Sequence, residues 1–202
     1  MAVQSGIYKG VSAADRMAER RSRLLDATLS VWADPEQRTT MTGVCATAGL
    51  TERYFYESFK NLDEAQSAVL EAVATEIEQV AQDAAQAAGT DPATRIRAAI
   101  RAFLELLVAD PRKGRVAIIE AGTMPSLRGR RTDLLRHFAH LASVEAHERA
   151  GLQRREREAD LAGLLFIGGM AELVTAWLDG VLETTPDEIV ETASRSFLGL
   201  YG

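Results

Sequence analysis

Apolar side chains recur at intervals of three and four residues along most of this chain, which is the spacing of α-helices. The first such stretch predicts a helix over residues 13–33, with a buried face that carries Leu24, Leu29 and Trp32. Pro35 ends that helix because proline cannot continue the backbone hydrogen-bond pattern. The pattern as a whole predicts an all-α fold.

A sharp turn between two short helices is predicted next. Thr40 is a suitable N-cap for a helix whose apolar residues Met41, Val44 and Cys45 share one face. Gly49 then interrupts the pattern, because glycine readily adopts the left-handed conformation that ends a helix. These features predict the first helix and the turn of a helix-turn-helix unit.

The helix after this turn has more aromatic and polar surface than a small core needs. Thr51 is placed to cap it, and Phe55 and Phe59, four residues apart, can point inward together. Three side chains then remain largely outside, namely Arg53, Tyr54 and Tyr56. This helix can therefore present one guanidinium and two phenols to a polar partner.

The remaining chain predicts a series of longer helices. Asn61 and Glu64 resemble a capping box that opens a helix from Leu62 to about Ala88. Further helices are predicted from Pro92 to Asp110, from Pro111 to Ala121 with Gly122 ending it, and from Met124 to about Ala150.

Residues 158–179 are apolar nearly all the way round a helix, and such a helix must be covered on every side. Its glycines, Gly163, Gly168 and Gly169, suggest the close approach of another backbone, because each weakens a helix by about 1 kcal/mol relative to alanine. A final helix begins near Pro186. Completing a monomeric core is one interpretation, and a four-helix interface between two chains is the one we favour. The expected interface residues are Leu165, Gly169, Leu173, Ile189, Ala193 and Phe197.

Composition agrees with a globular protein of 202 residues, 47% hydrophobic and 26% charged. No apolar run is expected to cross a membrane without interruption, and the N-terminus lacks a signal-peptide core, so we expect a cytoplasmic protein without a membrane partner. Cys45 is the single cysteine, which excludes an intramolecular disulfide; a buried, inert thiol is expected rather than a redox switch.

The net charge of −6 at first argues against nucleic acid, but the charge is unevenly distributed. Residues 1–60 carry eight Lys or Arg against seven Asp or Glu, and the remainder carries 15 against 22. The acidic excess therefore lies away from the helix-turn-helix. Four arginines on the first helix could form a patch that contacts a nucleic-acid backbone: Arg16, Arg20, Arg21 and Arg23.

These residues resemble the N-terminal signature of the TetR family of transcriptional regulators. The resemblance is carried by Thr40-Met41, Val44-Cys45, Ala48-Gly49-Leu50-Thr51, Tyr56 and Phe59, and it is specific over residues 16–70. Three positions depart from the family pattern: Ser58 stands where His is usual, Leu62 where a phosphate-binding Lys is common, and Asp34-Pro35 where a glycine is usual. Lys60 could supply the charge missing at Leu62.

The resemblance implies a tail over residues 1–12, a three-helix DNA-binding domain over 13–61 and a helical effector-binding and dimerisation domain over 62–202. It implies a homodimeric repressor that binds a palindromic double-stranded operator and is released by a small molecule. The residues expected at DNA are Arg16, Thr40, Thr51, Glu52, Arg53, Tyr54, Tyr56 and Lys60. The residues expected around a lipophilic effector are Phe103, Leu107, Ile119, Met124, Phe138, Met170 and Trp177.

The rival classes of function are a DNA-binding dimer without an effector and an enzyme. A DNA-binding dimer without an effector has the same sequence features, so the sequence does not separate it from a ligand-controlled regulator. An enzyme is not expected, since the sequence has no G-x-S-x-G turn, phosphate loop or cysteine paired with a base. His137 and His140 could share a metal and His147 lies too far along the same helix, but packed or solvent-edge histidines are expected, with no metal or cofactor.

Overall fold

The computed structural model describes residues 12–146 and 156–201, where the regular elements are all helical, which confirms the all-α fold. Of the predicted tail, residues 1–11 lie outside the described residues. The helices are α1 (Ala13–Ala33), α2 (Met41–Ala48), α3 (Glu52–Ser58), α4 (Leu62–Ala87), α5 (Pro92–Ala109), α6 (Pro111–Gly114), α7 (Ala121–Thr123), α8 (Arg128–Val144), α9 (Glu156–Leu178) and α10 (Pro186–Tyr201).

The chain divides into two compact units between Leu70 and Glu71. The division falls inside α4, whereas the predicted domain boundary lies at the start of that helix. The first unit contains α1, α2, α3 and the first turns of α4 around one apolar cluster. Its buried members are Leu24, Ala27, Val31, Val44, Cys45, Ala48, Phe55, Phe59 and Ala65.

The start of α4 is capped, although the predicted capping box is displaced by one residue. The backbone N–H of Glu64 donates to Asn61 Oδ1 at 2.8 Å, as a capping box requires. The Glu64 carboxylate accepts from the backbone N–H of Lys60 at 2.6 Å rather than from that of Asn61. Two backbone donors at the start of α4, those of Lys60 and Glu64, are satisfied all the same.

The segment between α5 and α8 differs from the single short helix that was predicted there. A π-helical segment, Arg115–Glu120, lies between α6 and α7, and a 3₁₀ turn, Pro125–Leu127, precedes α8. Arg115 Nε lies 3.1 Å from Glu120 Oε1, so an ion pair joins residues five apart, the spacing of backbone bonds in a π-helix. Gly122 consequently lies inside α7 and does not end the helix.

The second unit is built by α5 against α10 and by α8 against α9. Its buried apolar residues are Ile96, Ile100, Leu104, Leu107, Ala146, Ala159, Ala162, Val174, Ile189, Val190, Ala193, Phe197 and Tyr201. Two exposed ion pairs join α5 to α10, Arg97 with Glu191 at 3.0 Å and Arg101 with Asp187 at 2.7 Å. Surface pairs of this kind contribute little to stability, so the apolar core holds these helices together.

Arg95 is a buried arginine that ties three helices of the second unit together. Its side chain is 8% exposed, and its Nη1 donates to the carbonyl oxygens of Ala85 and Gly89, both at 2.8 Å. Its Nε donates to Glu145 Oε1 at 2.7 Å. The guanidinium therefore satisfies carbonyls at the end of α4 while it pairs with a carboxylate at the end of α8.

Gly163 allows α8 and α9 to approach closely. A Cβ atom at this position would lie 2.6 Å from the carbonyl oxygen of Ala139 and 3.0 Å from Ser143 Oγ. Ser143 Oγ also lies 3.0 Å from the carbonyl oxygens of both Ala139 and Ala159, to either of which it can donate its one proton, so this contact has little room to relax. The close backbone approach inferred from the glycines is present here, inside one chain.

We expect Gly163→Ala to lower the free energy of unfolding by about 1–3 kcal/mol, because the added methyl group must push α8 and α9 apart. Gly199→Ala on α10 is the matched control, since nothing lies within 4 Å of its Cβ position. The control should be neutral or stabilising by up to about 1 kcal/mol, through helix propensity alone. Urea unfolding at one protein concentration measures both, and equal stabilisation of the two variants would contradict the close packing.

Helix α9 is not covered on every side by residues 12–146 and 156–201. Of the 18 consecutive residues of α9 with the most apolar composition, only 17% are buried. Leu161, Leu164 and Leu165 are 58%, 45% and 67% exposed. Gly168 and Gly169 also face open space. By length and composition alone, with a mean hydropathy of 1.8, this helix could cross a membrane, whereas no apolar run of the sequence was expected to do so.

Candidate nucleic-acid interface

The turn between α2 and α3 is fixed by Gly49. Its φ of 61° and ψ of 38° place it in the left-handed region, which confirms the turn predicted at this residue. Its N–H donates to the carbonyl of Ala46 at 3.1 Å, and the N–H of Leu50 donates to that of Cys45 at 3.0 Å. These bonds end α2 and give α3 a defined direction.

The two sides of α3 differ sharply in exposure. Phe55 and Phe59 are 0% and 2% exposed, with ring centroids 5.6 Å apart, and they anchor the helix in the core of the first unit. On the other side, the Arg53 side chain is 84% exposed and Tyr56 is 58% exposed. Tyr54 was expected to lie largely outside but is half-buried, because the Arg20 guanidinium covers its ring at 4.5 Å.

Two arginines of α1 stabilise the ends of α2 and α3. Arg23 Nη2 donates to the carbonyl of Ala48 at 2.6 Å, and Arg21 Nη1 donates to that of Ser58 at 2.8 Å while stacking over Phe59 at 4.3 Å. Neither α2 nor α3 has a basic residue in its own last turn, and this is the signal that could have indicated the role. The four arginines of α1 were expected to contact a nucleic-acid backbone. Arg21 and Arg23 instead form these bonds inside the first unit and stabilise it.

Four further residues expected at DNA occupy different positions around α1, α2 and α3. Thr40 Oγ1 caps α2 by accepting from the N–H of Gly43 at 3.1 Å. Thr51 is exposed at the N-cap position of α3, but its side chain makes no capping bond, contrary to expectation. Lys60 is exposed just beyond α3, and Arg16 is half-buried on the first turn of α1. The fold thus brings Thr51 and Lys60 to opposite ends of α3.

Acidic side chains lie on the same short helix. Glu52 is exposed, and its Oε1 accepts from Thr42 Oγ1 at 3.5 Å, which links the start of α3 to α2. Glu57 was not among the predicted site residues, yet it pairs with Arg53 at 3.1 Å. Leu62 packs against the core of the first unit. Its apolar side chain offers a phosphate no hydrogen-bond donor.

The Cys45 thiol is buried in the first unit and is not part of the exposed surface. Burial, and secondarily the nearby Glu52 carboxylate, raises the pKa of this thiol above its ordinary value. A raised pKa keeps the sulfur protonated and unreactive near neutral pH. This position therefore matches the inert thiol that was expected.

The side chains expected around an effector are spread over the second unit. Leu107 is fully buried, while Phe103, Met170 and Trp177 are partly buried against the apolar core. Ile119, Met124 and Phe138 are also partly buried. A groove of about 280 Å³ between α4 and α8 includes none of these residues; its lining is Glu71, Ala74, Thr75, Glu78, Arg130, Asp133, Leu134 and His137.

The histidines of α8 do not form a metal site among the described residues. His137 Nε2 lies 2.9 Å from Glu78 Oε2 on α4, and His140 is exposed. No group of three or more His, Cys, Asp or Glu side chains with metal-ligand geometry occurs within residues 12–146 and 156–201. His147 lies outside the described residues.

The predicted interface residues fall into two groups. Leu165 and Gly169 are exposed on α9, and Leu173 is half-buried. Ile189, Ala193 and Phe197 are 1%, 3% and 3% exposed, because they fill the core between α5 and α10. We correct the expectation for these three, since a side chain buried within its own chain has little surface left to offer a partner.

A glycine turn that holds an exposed, arginine-bearing helix on a three-helix core defines the helix-turn-helix class of fold. No protein-family model and no curated protein matches the chain. Among solved structures it is similar to a TetR-like transcriptional regulator from Rhodococcus sp. RHA1, with TM-score 0.71, 18% identity, and coverage of 92% of this chain and 97% of that one.

Two further solved structures have a similar fold. The fatty acid degradation regulator FadR from Bacillus halodurans has TM-score 0.74 and 18% identity, covering 89% of this chain and 95% of that one. FadR from Bacillus subtilis in complex with stearoyl-CoA has TM-score 0.73 and 18% identity, covering 90% and 99%. The chain therefore has the fold of the TetR-family regulators.

Proposed function

We propose that this chain is a cytoplasmic transcriptional regulator, a repressor that binds a palindromic operator as a homodimer. The observation that carries the proposal is the pair Arg53 and Tyr56, which are exposed on a short helix whose direction is fixed by the turn at Gly49. In helix-turn-helix proteins this second helix enters the major groove, where arginine reads guanine and tyrosine holds phosphate.

The test is selection of bound sequences from random duplexes by the purified protein, at about 150 mM salt so that specific binding dominates. An enriched palindrome with half-sites about one helical turn apart would support both DNA recognition and the dimer. Enrichment of no sequence would overturn the proposal. Competition with unrelated duplex DNA supplies the specificity ratio.

Tyr56→Phe is expected to weaken operator binding by about three- to tenfold, because it removes one hydroxyl bond to a phosphate and leaves the ring in place. The loss should be equal for the operator and for variants of it, since phosphate contacts carry no sequence information. Titrations of labelled duplexes measure this. A loss confined to one base pair would show that Tyr56 reads a base instead.

The exposed face of α9 supports a protein partner in preference to lipid. Leu161, Leu165 and Gly168 follow one another along this face, and the exposed Glu172 continues the same line of residues. A carboxylate within a hydrocarbon layer is costly, whereas at the edge of a helical interface it remains hydrated. A second copy of α9 is the partner we propose, with Gly168 and Gly169 allowing close approach.

The proposed effector is a lipophilic small molecule that binds the second unit, a hypothesis supported by the stearoyl-CoA in FadR from Bacillus subtilis. A ligand acts only through different affinities for the DNA-bound and released states. We expect stearoyl-CoA, stearate or a similar lipid to weaken operator binding, with coenzyme A alone as the control. The second candidate, a regulator without an effector, is favoured by the polar lining of the described groove and predicts no effect of any lipid.

A further inference from the structure

Glu57 engages the exposed arginine of α3 in a specific way. Arg53 Nε lies 3.1 Å from Glu57 Oε1, one helical turn further along. The Arg53 side chain is 84% exposed and that of Glu57 is 37% exposed. The bond therefore holds a side chain that would otherwise be mobile in solvent.

The second oxygen of the same carboxylate faces α1. Arg20 Nη2 lies 3.8 Å from Glu57 Oε2, and the Arg20 guanidinium stacks over the Tyr54 ring at 4.5 Å. Arg20 is only 25% exposed, so it is a fixed neighbour of the carboxylate. Glu57 is thus positioned by the folded unit and not by Arg53 alone.

Glu57 contacts the guanidinium of Arg53 at its Nε atom, and this affects which donors remain for base recognition. A guanidinium held through Nε keeps its Nη groups available, and guanine is read in the major groove by a bidentate arginine. We propose that Glu57 is a positioning residue that sets the base specificity of Arg53 by orienting its guanidinium. This inference rests on the proposed function and adds a residue to it.

The carboxylate has a second, opposite effect, which makes the inference testable. Glu57 adds a negative charge on the surface that would face DNA, so it opposes binding to phosphates of any sequence. Its removal should therefore raise the affinity for unrelated DNA while it lowers the discrimination between bases. A residue with a merely structural role would lower both.

The experiment compares Glu57→Ala, Glu57→Gln, Arg53→Ala and the double variant Glu57→Ala/Arg53→Ala in the full chain. Each is titrated with the selected operator, with the operator substituted at the base pair that Arg53→Ala affects, and with unrelated duplex DNA. Glu19→Gln on α1 is the matched control, because it removes one exposed carboxylate from the same unit at a distance along the chain from Arg53.

Glu57→Ala should raise affinity for unrelated DNA by about two- to fivefold and reduce discrimination at the tested base pair by about tenfold. Glu57→Gln should lie between Glu57→Ala and the unchanged protein, since its amide oxygen can still accept from Nε. In the Arg53→Ala background Glu57→Ala should leave discrimination unchanged, and Glu19→Gln should leave it unchanged throughout.

Retained discrimination in Glu57→Ala, or equal losses with and without Arg53, would overturn this inference while the proposed function stands. A wild-type protein that selects no DNA sequence would overturn both. The two failures are therefore distinguished by the behaviour of the unchanged protein.

Discussion

Arg53→Ala is expected to lower operator affinity by about tenfold or more, because a bidentate contact to guanine is worth about 1–3 kcal/mol and a dimer makes it in each half-site. The loss should fall on one base pair per half-site and leave the other positions of the operator unchanged. The fold should tolerate the change, since the side chain is 84% exposed. Sequence selection with the variant, followed by titration of single-base operator variants, measures the effect.

Arg53→Lys separates the charge of this residue from its geometry. Lysine keeps the positive charge but lacks the planar fork, so affinity for unrelated DNA should be retained while base preference is lost. If Arg53→Ala and Arg53→Lys both select the same palindrome as the unchanged protein, Arg53 does not read DNA. The exposed side chains of Glu52 and Tyr56 would then be the next to test.

The first unit could be predicted closely from sequence because its signals are local. Thr40 as N-cap, Gly49 in the left-handed conformation and the inward pair Phe55 and Phe59 each depend on neighbours a few residues away. The end of α1 at Ala33, before Pro35, is of the same kind. Local steric and capping rules determine such features almost completely.

The contacts between these helices could not be predicted in the same way. Arg23 bonds to Ala48, 25 positions away, and Arg21 bonds to Ser58, 37 positions away. A single sequence shows an arginine run but not which carbonyl each guanidinium will reach. The pairing of Glu57 with Arg20 is missed for the same reason, because it depends on how α1 crosses α3. The pairing of Glu57 with Arg53 is local, and the spacing of four residues along one helix could have indicated it.

Helical periodicity also leaves open which apolar face meets which partner. Residues of α9 and α10 were both expected at an interface, but Ile189 and Phe197 turn inward, where the Phe197 ring packs on Phe166 and Tyr201 with centroids 5.0 and 4.7 Å apart. A charge at Phe197 would therefore unfold the second unit instead of dissociating a dimer. An interface test must use the exposed face of α9.

Leu165→Glu is that test, and we expect it to convert the proposed dimer to monomer. Leu165 is 67% exposed within the chain, so the substitution should leave the monomer folded. A two-fold interface would bury two new carboxylates without partners, which should raise the dimer dissociation constant by about hundredfold or more. Sedimentation velocity over a range of concentrations measures the change, and circular dichroism checks the fold.

Val181→Glu is the matched control, because Val181 is 82% exposed and lies beyond the end of α9 at Leu178. It introduces the same charge and should leave the dimer intact. Because a palindrome is read by two linked units, Leu165→Glu should also weaken binding to the full operator far more than to an isolated half-site. A Leu165→Glu protein that stays dimeric would show that the exposed face of α9 is not the dimer interface.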